Sequence, residues 1–321
     1  MHATAKAHPI QGLVKYHGMR DPELRYPYHD SISVCTAPSH TKTTVSFDVD
    51  EETYVVDGEP VTGRGAERIE SVLDHVRDLA DVDRPARVES ENSFPTNVGF
   101  GSSSSGFAAL AMAAAEAAGL DLTRPEISTI ARRGSASAAR AVTGGFSVLH
   151  SGKNDEDCRA ERIDTDLDEE LHVVAALVPT YKETEAAHAE ATESHMFDAR
   201  MAHVHEQMDE MRDALRAADF GRAFELAERD TLSLAATTMT GPSAWVYWQP
   251  RTIEVFNAVR QLRSEGVEAY FSGDTGASIY VNTTEEHVED VREAISDLGI
   301  ETRHWTVGGP AEVLGDDQEL F

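Results

Sequence analysis

Residues 92–119 read NSFPTNVGFGSSSSGFAALAMAAAEAAG, a turn rich in glycine and serine that leads into an alanine-rich run. Residues 103–118 have strong helix propensity, and Gly119 is a suitable residue to end the helix. The start of such a helix presents unpaired N–H groups with a partial positive charge, and glycines let a ligand approach the backbone. The stretch therefore suits a phosphate group, and a serine-rich helix cap without a ligand is the alternative interpretation.

Two common phosphate-binding patterns do not match this stretch. No lysine follows the glycines, as a Walker A loop requires, and the glycines do not form a dinucleotide-binding fingerprint. The local pattern by itself leaves the bound group open.

The segments before this stretch predict a domain that mixes helices and strands. Residues 43–47 alternate like a strand, and residues 52–59 read as a strand that ends at an Asp-Gly turn, hence a hairpin. Apolar residues at helical spacing predict an amphipathic helix over 66–79, and residues 87–90 form a short strand. This order is typical of an α+β fold and not of a regularly alternating βαβ fold.

Residues 123–126, TRPE, form a capping box with proline at the first helical position. We predict a single helix from there through Arg140 that ends at Gly144. The small residues of this helix indicate tight packing or a ligand laid against the backbone. The planar guanidinium of Arg140 suits a carboxylate or a phosphate, and a surface arginine on a helix is the alternative.

The second half of the chain predicts another domain. We place the boundary near Pro179, which gives domains at 1–179 and 180–321. Two helical patterns that alternate with strands fit a ferredoxin-like domain. The elements predicted there are helices at about 196–217, 219–237, 250–265 and 285–297, and strands at 268–271, 279–281 and 301–307.

The composition is strongly acidic. The chain has 57 Asp and Glu against 28 Lys and Arg, a formal net charge of −29, and the acidic residues are spread along its whole length. Because abundant ions relieve this repulsion, we predict adaptation to a salt-rich cytoplasm, with an ordinary acidic protein as the alternative. Nucleic acid is not an expected partner, since its phosphates would be repelled.

Other sequence features exclude several classes of protein. No apolar run reaches the length of a membrane span, the N-terminus lacks a signal-peptide core, and Cys35 and Cys158 are isolated. These features predict a cytoplasmic protein with no membrane partner. The 14 histidines show no zinc-binding spacing, and no nucleophile motif is present, so we predict no metal-ligating residue and no nucleophilic catalysis.

Five blocks of sequence resemble the mevalonate diphosphate decarboxylase branch of the GHMP kinase superfamily, in family order and spacing. The resemblance covers nearly the whole chain, and the acidic composition is most similar to the haloarchaeal members, described as phosphomevalonate decarboxylases. The blocks are KYHGMRD at 15–21, SISV at 31–34, NSFPTNVGFGSS at 92–103, GSASAARAVTGGF at 134–146 and SGDTG at 272–276.

The resemblance implies an α+β GHMP kinase fold, with a ribosomal-S5-like N-terminal domain, a ferredoxin-like C-terminal domain and the active site between them. It also implies an enzyme that uses ATP and Mg²⁺ to phosphorylate the tertiary 3-hydroxyl of a mevalonate phosphate. The new phosphate then leaves together with carbon dioxide, giving an isopentenyl product of isoprenoid synthesis. A homodimer is the assembly that the family suggests.

The resemblance also assigns roles to individual residues. Asp274 matches the catalytic aspartate beside the 3-hydroxyl, Arg140 the arginine that holds the substrate carboxylate, and Lys15 an active-site lysine. For Asp274, a turn-forming aspartate between glycines is the alternative. The ATP-phosphate loop corresponds to Pro95, Gly99, Gly101, Ser102, Ser103 and Ser104, and the substrate-binding positions to Tyr16, Arg68, Ser135, Ser137 and Arg140.

Two departures from the family pattern bear on the substrate. The family's Lys-Tyr-Trp-Gly-Lys is KYHGM at 15–19, so Met19 replaces a second lysine, and the loop around Asp274 also differs. Because a cation near the expected substrate phosphates is lost, we expect a substrate with one phosphate fewer. The expected reaction is decarboxylation of mevalonate 5-phosphate to isopentenyl phosphate. The alternatives are a decarboxylase of the 5-diphosphate, a kinase that stops after phosphorylation, and a binding module without turnover.

Overall fold

The computed structural model describes residues 1–94, 102–179 and 188–321 as two large sheets with helices packed on them, plus one small hairpin. The strands are β1 (His2–Ala7), β2 (Ile10–Val14), β3 (Met19–Asp21), β4 (Tyr26–Pro27), β5 (Ser31–Ala37), β6 (Thr41–Ser46), β7 (Thr53–Val56), β8 (Glu59–Pro60), β9 (Arg87–Asn92), β10 (Phe146–Leu149), β11 (Ala160–Arg162), β12 (His172–Leu177), β13 (Ala269–Ser272), β14 (Ile279–Thr283), β15 (Glu301–Val307) and β16 (Glu312–Leu314). The α-helices are α1 (Arg64–Ala80), α2 (Ser102–Ala117), α3 (Arg124–Gly134), α4 (Ala136–Thr143), α5 (Leu167–Glu170), α6 (Phe197–Arg216), α7 (Phe220–Met239), α8 (Pro250–Ser264) and α9 (Val288–Ser296).

The first sheet has the strand order β16-β1-β6-β9-β7-β8. Helix α2 lies directly on β1 and β6, with α1, α3 and α4 packed around it. The alanines of α2 are buried against the sheet, and their small side chains allow this close approach of helix to strand. The helix predicted over 103–118 is therefore confirmed, and it is the central element of the N-terminal core.

The second sheet has the order β11-β10-β5-β15-β12-β14-β13, with β2 also paired to β5. Within it, β13-β14-β12-β15 is an antiparallel ferredoxin-like sheet, as the sequence predicted. One face packs on α6 and α7, and the other on α8 and α9. Pairing of Thr306 with Ala37 and of Val307 with Thr36 joins this sheet to β5, so one continuous sheet links the two halves of the chain.

Local signals in the sequence give the expected structures at three places. Thr123 and Glu126 form the capping box of α3. Asp219 caps α7, since its side chain accepts a hydrogen bond from the amide of Arg222 at 3.0 Å. The turn between β7 and β8 has positive φ angles at Asp57 and Gly58, 51° and 80°, as in the tight turn of a hairpin.

The single helix predicted from residue 124 to Gly144 is wrong, because the chain breaks it at Ser135. This residue is extended, with φ −159° and ψ 128°, and it ends α3 and begins α4. Gly134 precedes the break, and a Cβ atom there would lie 2.1 Å from the ring of Phe107. Only glycine fits at position 134, because α2 packs so closely there. The extended backbone of Ser135 separates α3 from α4.

The predicted domain boundary at residue 179 follows β12, a strand that pairs with β14 and β15 of the ferredoxin-like sheet. The boundary itself stays a prediction. Among the helices of the described ranges, none has the length and apolar character needed to span a bilayer.

Candidate active site

Three elements bring Lys15, Arg140 and Asp274 to one region between the two halves of the chain. Lys15 directly follows β2, Arg140 lies on α4, and Asp274 lies in the turn between β13 and β14. A Cβ atom on Gly12 of β2 would lie 2.7 Å from both Asp274 Oδ1 and Lys15 Cγ. The lysine stem and the aspartate carboxylate therefore share the space above this glycine.

Lys15 is buried, with 6% of its surface exposed. Its Nζ donates to Asp230 Oδ2 at 3.2 Å and to Thr231 Oγ1 at 3.3 Å. Its backbone N–H also donates to Asp230 Oδ2, at 3.0 Å, and its carbonyl accepts from Arg200 at 2.6 Å. Both the main chain and the ammonium group of Lys15 are thus fixed by residues of α6 and α7.

Asp274 is half-buried and accepts a hydrogen bond from the hydroxyl of Tyr280 at 3.3 Å. Burial, together with the charge of Asp274, raises the pKa of Tyr280 well above its ordinary value. Tyr280 therefore stays protonated and donates to the carboxylate. This fixed contact places one oxygen of Asp274, while the other lies above Gly12.

Arg140 is only 3% exposed, so the alternative of a surface arginine is wrong. It donates to the hydroxyl of Ser31, and its guanidinium carbon lies 5.6 Å from the centre of the Tyr16 ring. Its Nε has no hydrogen-bond partner within the ranges that the structure describes. Burial lowers the pKa of Arg140 to about 10, with Tyr16 and Asp274 acting in the opposite direction, so the group is a cation at neutral pH.

Tyr16 lies close to Ser137 of α4 and to Arg140. The hydroxyls of Tyr16 and Ser137 are 3.4 Å apart, and Ser135 is buried at the start of α4. The Tyr16 ring stacks on His188, with ring centres 5.1 Å apart, and the amide of Gly18 donates to His188 Nδ1 at 3.3 Å. The structure therefore brings together Tyr16, Ser137 and Arg140, and their binding of a substrate stays a prediction.

Arg68 of α1 lies at the break between α3 and α4. It donates from Nε to the carbonyl of Gly134 at 2.8 Å, and its guanidinium lies 4.6 Å from the centre of the Phe107 ring. Arg68 is thus next to Ser135 in space, although 67 positions separate them in the numbering. Binding of a substrate by Arg68 and Ser135 stays a prediction.

The predicted ATP-phosphate loop lies only partly within the residues that the structure describes. Pro95, Gly99 and Gly101 lie outside the described residues, as does the side chain of Ser102. Ser103 is exposed in the first turn of α2, whereas Ser104 is buried and accepts a hydrogen bond from the amide of Ile10 at 3.2 Å. Ser103 is therefore accessible at the helix start, and Ser104 links α2 to the first residue of β2.

Sequence reasoning missed several residues of this region. Gly12 carried a usable signal, since a glycine inside a strand often marks a close approach of another group. Asp230 and Thr231 lie within a regular helical pattern and Arg200 within another, and His188 follows the residues at 180–187 that are not described. Their positions become apparent only when α6 and α7 are folded against β2.

The paired N-terminal and ferredoxin-like units, with a site at their junction, define a GHMP kinase fold. Residues 7–160 match the model of the diphosphomevalonate decarboxylase-like N-terminal domain, and residues 172–307 match that of the mevalonate 5-diphosphate decarboxylase C-terminal domain. The chain belongs to the diphosphomevalonate decarboxylase family.

Individual relatives agree with this assignment. A phosphomevalonate decarboxylase of Haloferax volcanii is 72% identical over 100% of both chains. A crystal structure of mevalonate diphosphate decarboxylase from Staphylococcus aureus matches with a TM-score of 0.93 at 26% identity, covering 98% of each chain. A structure described as MDDEF in complex with MVAPP, AMPPCP and magnesium matches with a TM-score of 0.92 at 29% identity, covering 98% of this chain and 99% of that one.

Proposed function

We propose that the protein catalyses the ATP-dependent decarboxylation of mevalonate 5-phosphate to isopentenyl phosphate, with release of ADP, phosphate and carbon dioxide. The observation that carries this proposal is the 72% identity to the phosphomevalonate decarboxylase of Haloferax volcanii along the whole chain. The site supports it, because a buried arginine, a buried lysine and a half-buried aspartate lie in one region. The reaction needs a cation for the substrate carboxylate and an acceptor for its 3-hydroxyl.

The roles of these residues follow from the bonds that change. Arg140 holds the carboxylate through guanidinium N–H groups, and its buried Nε is a donor available for this contact. Asp274 accepts a hydrogen bond from the 3-hydroxyl and orients it toward the terminal phosphate of ATP. After phosphorylation the bond from C3 to oxygen breaks and the phosphate leaves. The bond between the carboxylate carbon C1 and C2 then breaks, which releases carbon dioxide, and its electrons form the C2–C3 double bond. Lys15 supplies positive charge beside these groups.

The nucleotide phosphates lie at the start of α2 in this proposal. The amides of a helix start and the hydroxyl of Ser103, which is exposed, suit phosphate oxygens. Ser102 and the glycines at 99 and 101 complete the loop on the basis of the resemblance. Mg²⁺ would neutralise charge on the phosphates of ATP, as in related phosphoryl transfers.

The choice of the monophosphate rests on the residues around Met19. Met19 packs against an apolar cluster that includes Tyr16 and Tyr26, so no charged group stands at this position. Arg20 donates to the carbonyls of Ser151 and Gly152, at 2.7 and 2.6 Å, and Lys6 pairs with Glu312 at 2.7 Å on the first sheet. Lys6 is thus held on another sheet, and Arg20, whose guanidinium carbon lies 5.1 Å from the centre of the Tyr26 ring, is tied to two carbonyls. A second phosphate therefore lacks the cation that the family supplies.

We also infer from the family that the protein is a homodimer in the cytoplasm. Light scattering on the purified protein in concentrated KCl tests the assembly, and a monomer mass would overturn it.

The experiment that tests the function compares wild type with Asp274→Asn, using ATP and mevalonate 5-phosphate. We expect one carbon dioxide per ADP from wild type and a loss of about 10²- to 10⁴-fold in the variant, with nucleotide binding retained. Asp213→Asn, at a side chain 81% exposed, is the matched control and should act like wild type. Accumulation of a stable 3-phosphorylated acid would instead establish a kinase, and absence of turnover in both forms would establish a binding module.

A further inference from the structure

A set of buried polar groups lies directly beneath the proposed active site. Asp230 of α7 is fully buried, and its two oxygens meet different cations: Oδ2 accepts from Lys15 Nζ at 3.2 Å, and Oδ1 accepts from Arg200 at 2.8 Å. Arg200 itself is 3% exposed and also donates to Ser233 at 2.8 Å. None of these α6 and α7 groups matches a residue assigned by the family motifs above.

The charges of this set add up to an excess of one positive charge. A single carboxylate beside Lys15 would neutralise the ammonium group. Because Arg200 pairs with the other oxygen of the same carboxylate, the set of Lys15, Arg200 and Asp230 remains cationic. Burial acts to raise the pKa of Asp230, but Arg200 and Lys15 outweigh it and hold that pKa below its ordinary value. The Asp230 carboxylate is therefore ionised at neutral pH. The three groups together still carry a positive charge, which attracts an anionic ligand.

The hydroxyl of Thr231 connects these buried groups to the turn between β13 and β14, which carries Asp274. It donates to the carbonyl of Ala227 at 2.9 Å within α7. It accepts from the amide of Gly273 at 3.1 Å and from Lys15 Nζ at 3.3 Å. One donor and two acceptor sites are all that a hydroxyl offers, so every site is used. Gly273 precedes Asp274, and the same oxygen therefore fixes the ammonium group relative to the backbone that carries the aspartate.

We propose that Thr231, supported by the Asp230–Arg200 pair, is a positioning residue that sets the distance between the Lys15 ammonium group and Asp274. This inference rests on the proposed function, because it assigns Lys15 and Asp274 to the reaction. Thr231 is 3% exposed and acts through its two partners. Its removal should therefore lower kcat more than it changes KM for ATP.

The test compares Thr231→Val, which keeps the shape and removes the hydroxyl, with Thr231→Ser, which keeps the hydroxyl. We expect kcat for mevalonate 5-phosphate to fall by about 10- to 100-fold in Thr231→Val, since small misplacements of catalytic groups have effects of this size. Thr231→Ser should stay within about threefold of wild type, and KM for ATP should stay within about threefold in both. Equal kcat values in wild type and Thr231→Val, or equal losses in both variants, would overturn the proposal.

Two further measurements keep the test decisive. The same substitution in a Lys15→Met background should have a smaller effect than in wild type, because only the contact to the amide of Gly273 is left for Thr231 to hold. Full additivity of the two losses would overturn the proposal. If Thr231→Val fails to fold in concentrated KCl, Thr231→Ala takes its place, with the melting temperature as the check on folding. Absence of turnover in wild type would reject the proposed function, whereas normal turnover in a folded Thr231→Val would reject only the positioning role.

Discussion

The carboxylate of Asp274 lies against the backbone of Gly12, where a Cβ atom would come within 2.7 Å of Asp274 Oδ1. Real Cβ contacts are longer than this, so any larger residue at position 12 must displace the carboxylate, the stem of Lys15, or both. The glycine in β2 thus helps to set the geometry of the proposed active site although it has no side chain.

We therefore expect Gly12→Ala to lower kcat/KM by roughly 10²-fold, because displacements of about 1 Å have effects of this size. The melting temperature should change little, since the displaced atoms belong to side chains and not to the backbone. Gly309→Ala is the control, because a Cβ atom there meets nothing within 4 Å. Wild-type activity in Gly12→Ala would mean that Asp274 is not held where the structure places it.

Arg140→Lys tests whether Arg140 binds the substrate carboxylate through two N–H groups or only through its positive charge. The ammonium group of lysine does not reproduce a bidentate pair with a carboxylate, so we expect kcat/KM to fall by roughly 10- to 150-fold, equivalent to about 1.5–3 kcal/mol. Circular dichroism should show an unchanged fold. Arg216→Lys, at a side chain 67% exposed, serves as the control. An equal activity of Arg140→Lys and wild type would remove Arg140 from carboxylate binding.

The buried His29 should make folding sensitive to acid. Burial, followed by the charge of Arg200, lowers the pKa of His29 from 6.5 to about 4. Between these values the unfolded chain binds a proton that the folded protein excludes, so stability is present above pH 6.5 and is lost as pH falls toward 4. The expected loss from His29 alone is about 2 kcal/mol at about pH 5.

His150 acts in the opposite sense, because its hydrogen bond to Asp30 raises its pKa. Comparison with His29→Gln therefore isolates the contribution of His29. Denaturant titrations of both proteins at about pH 7.5 and about pH 5 should show a smaller loss of stability in the variant. Equal losses would show that His29 does not resist protonation in the folded state.

The fold was largely predictable from the sequence because its signals are local. The alanine run of α2, the capping box at Thr123 and the Asp57-Gly58 turn each follow from a few neighbouring residues. The break at Ser135 was not predicted, because an isolated glycine such as Gly134 is often tolerated inside a helical pattern. Tertiary packing of Gly134 on Phe107 decides the structure there.

The site was predictable only as far as the family motifs extend. Lys15, Arg140 and Asp274 were singled out because they lie in recognisable blocks, and their roles stay predictions although Arg140 is buried. Asp230, Thr231 and Arg200 lie on two long helices with ordinary amphipathic patterns. Contacts between such helices and a distant strand depend on the packed structure, so a pattern of hydrophobic residues gives no sign of them.

The net charge of −29 should make stability depend on salt. At about 1 M salt the Debye length is roughly 3 Å, compared with about 10 Å at about 0.1 M, so repulsion between surface carboxylates is strongly screened. We expect the melting temperature to rise by roughly 10 °C or more between dilute buffer and about 2 M KCl. Sucrose at equal osmolality is the control for effects unrelated to charge. An unchanged melting temperature in KCl would contradict adaptation to high salt.

The central claim concerns the number of phosphates on the substrate. Met19→Lys restores the family's cation at the edge of the apolar cluster around Tyr16 and Tyr26, while Met19→Leu keeps the position neutral. A charge-assisted contact to a second phosphate stabilises binding by about 1.5–3 kcal/mol, so Met19→Lys should improve use of the diphosphate and Met19→Leu should not.

The most direct measurement is kcat/KM of the wild-type protein for mevalonate 5-phosphate and for mevalonate 5-diphosphate, in concentrated KCl, with identification of the products. We predict a preference for the monophosphate of roughly 10- to 150-fold, with isopentenyl phosphate as the main product. A higher kcat/KM for the diphosphate, with isopentenyl diphosphate as the product, would contradict the proposed substrate.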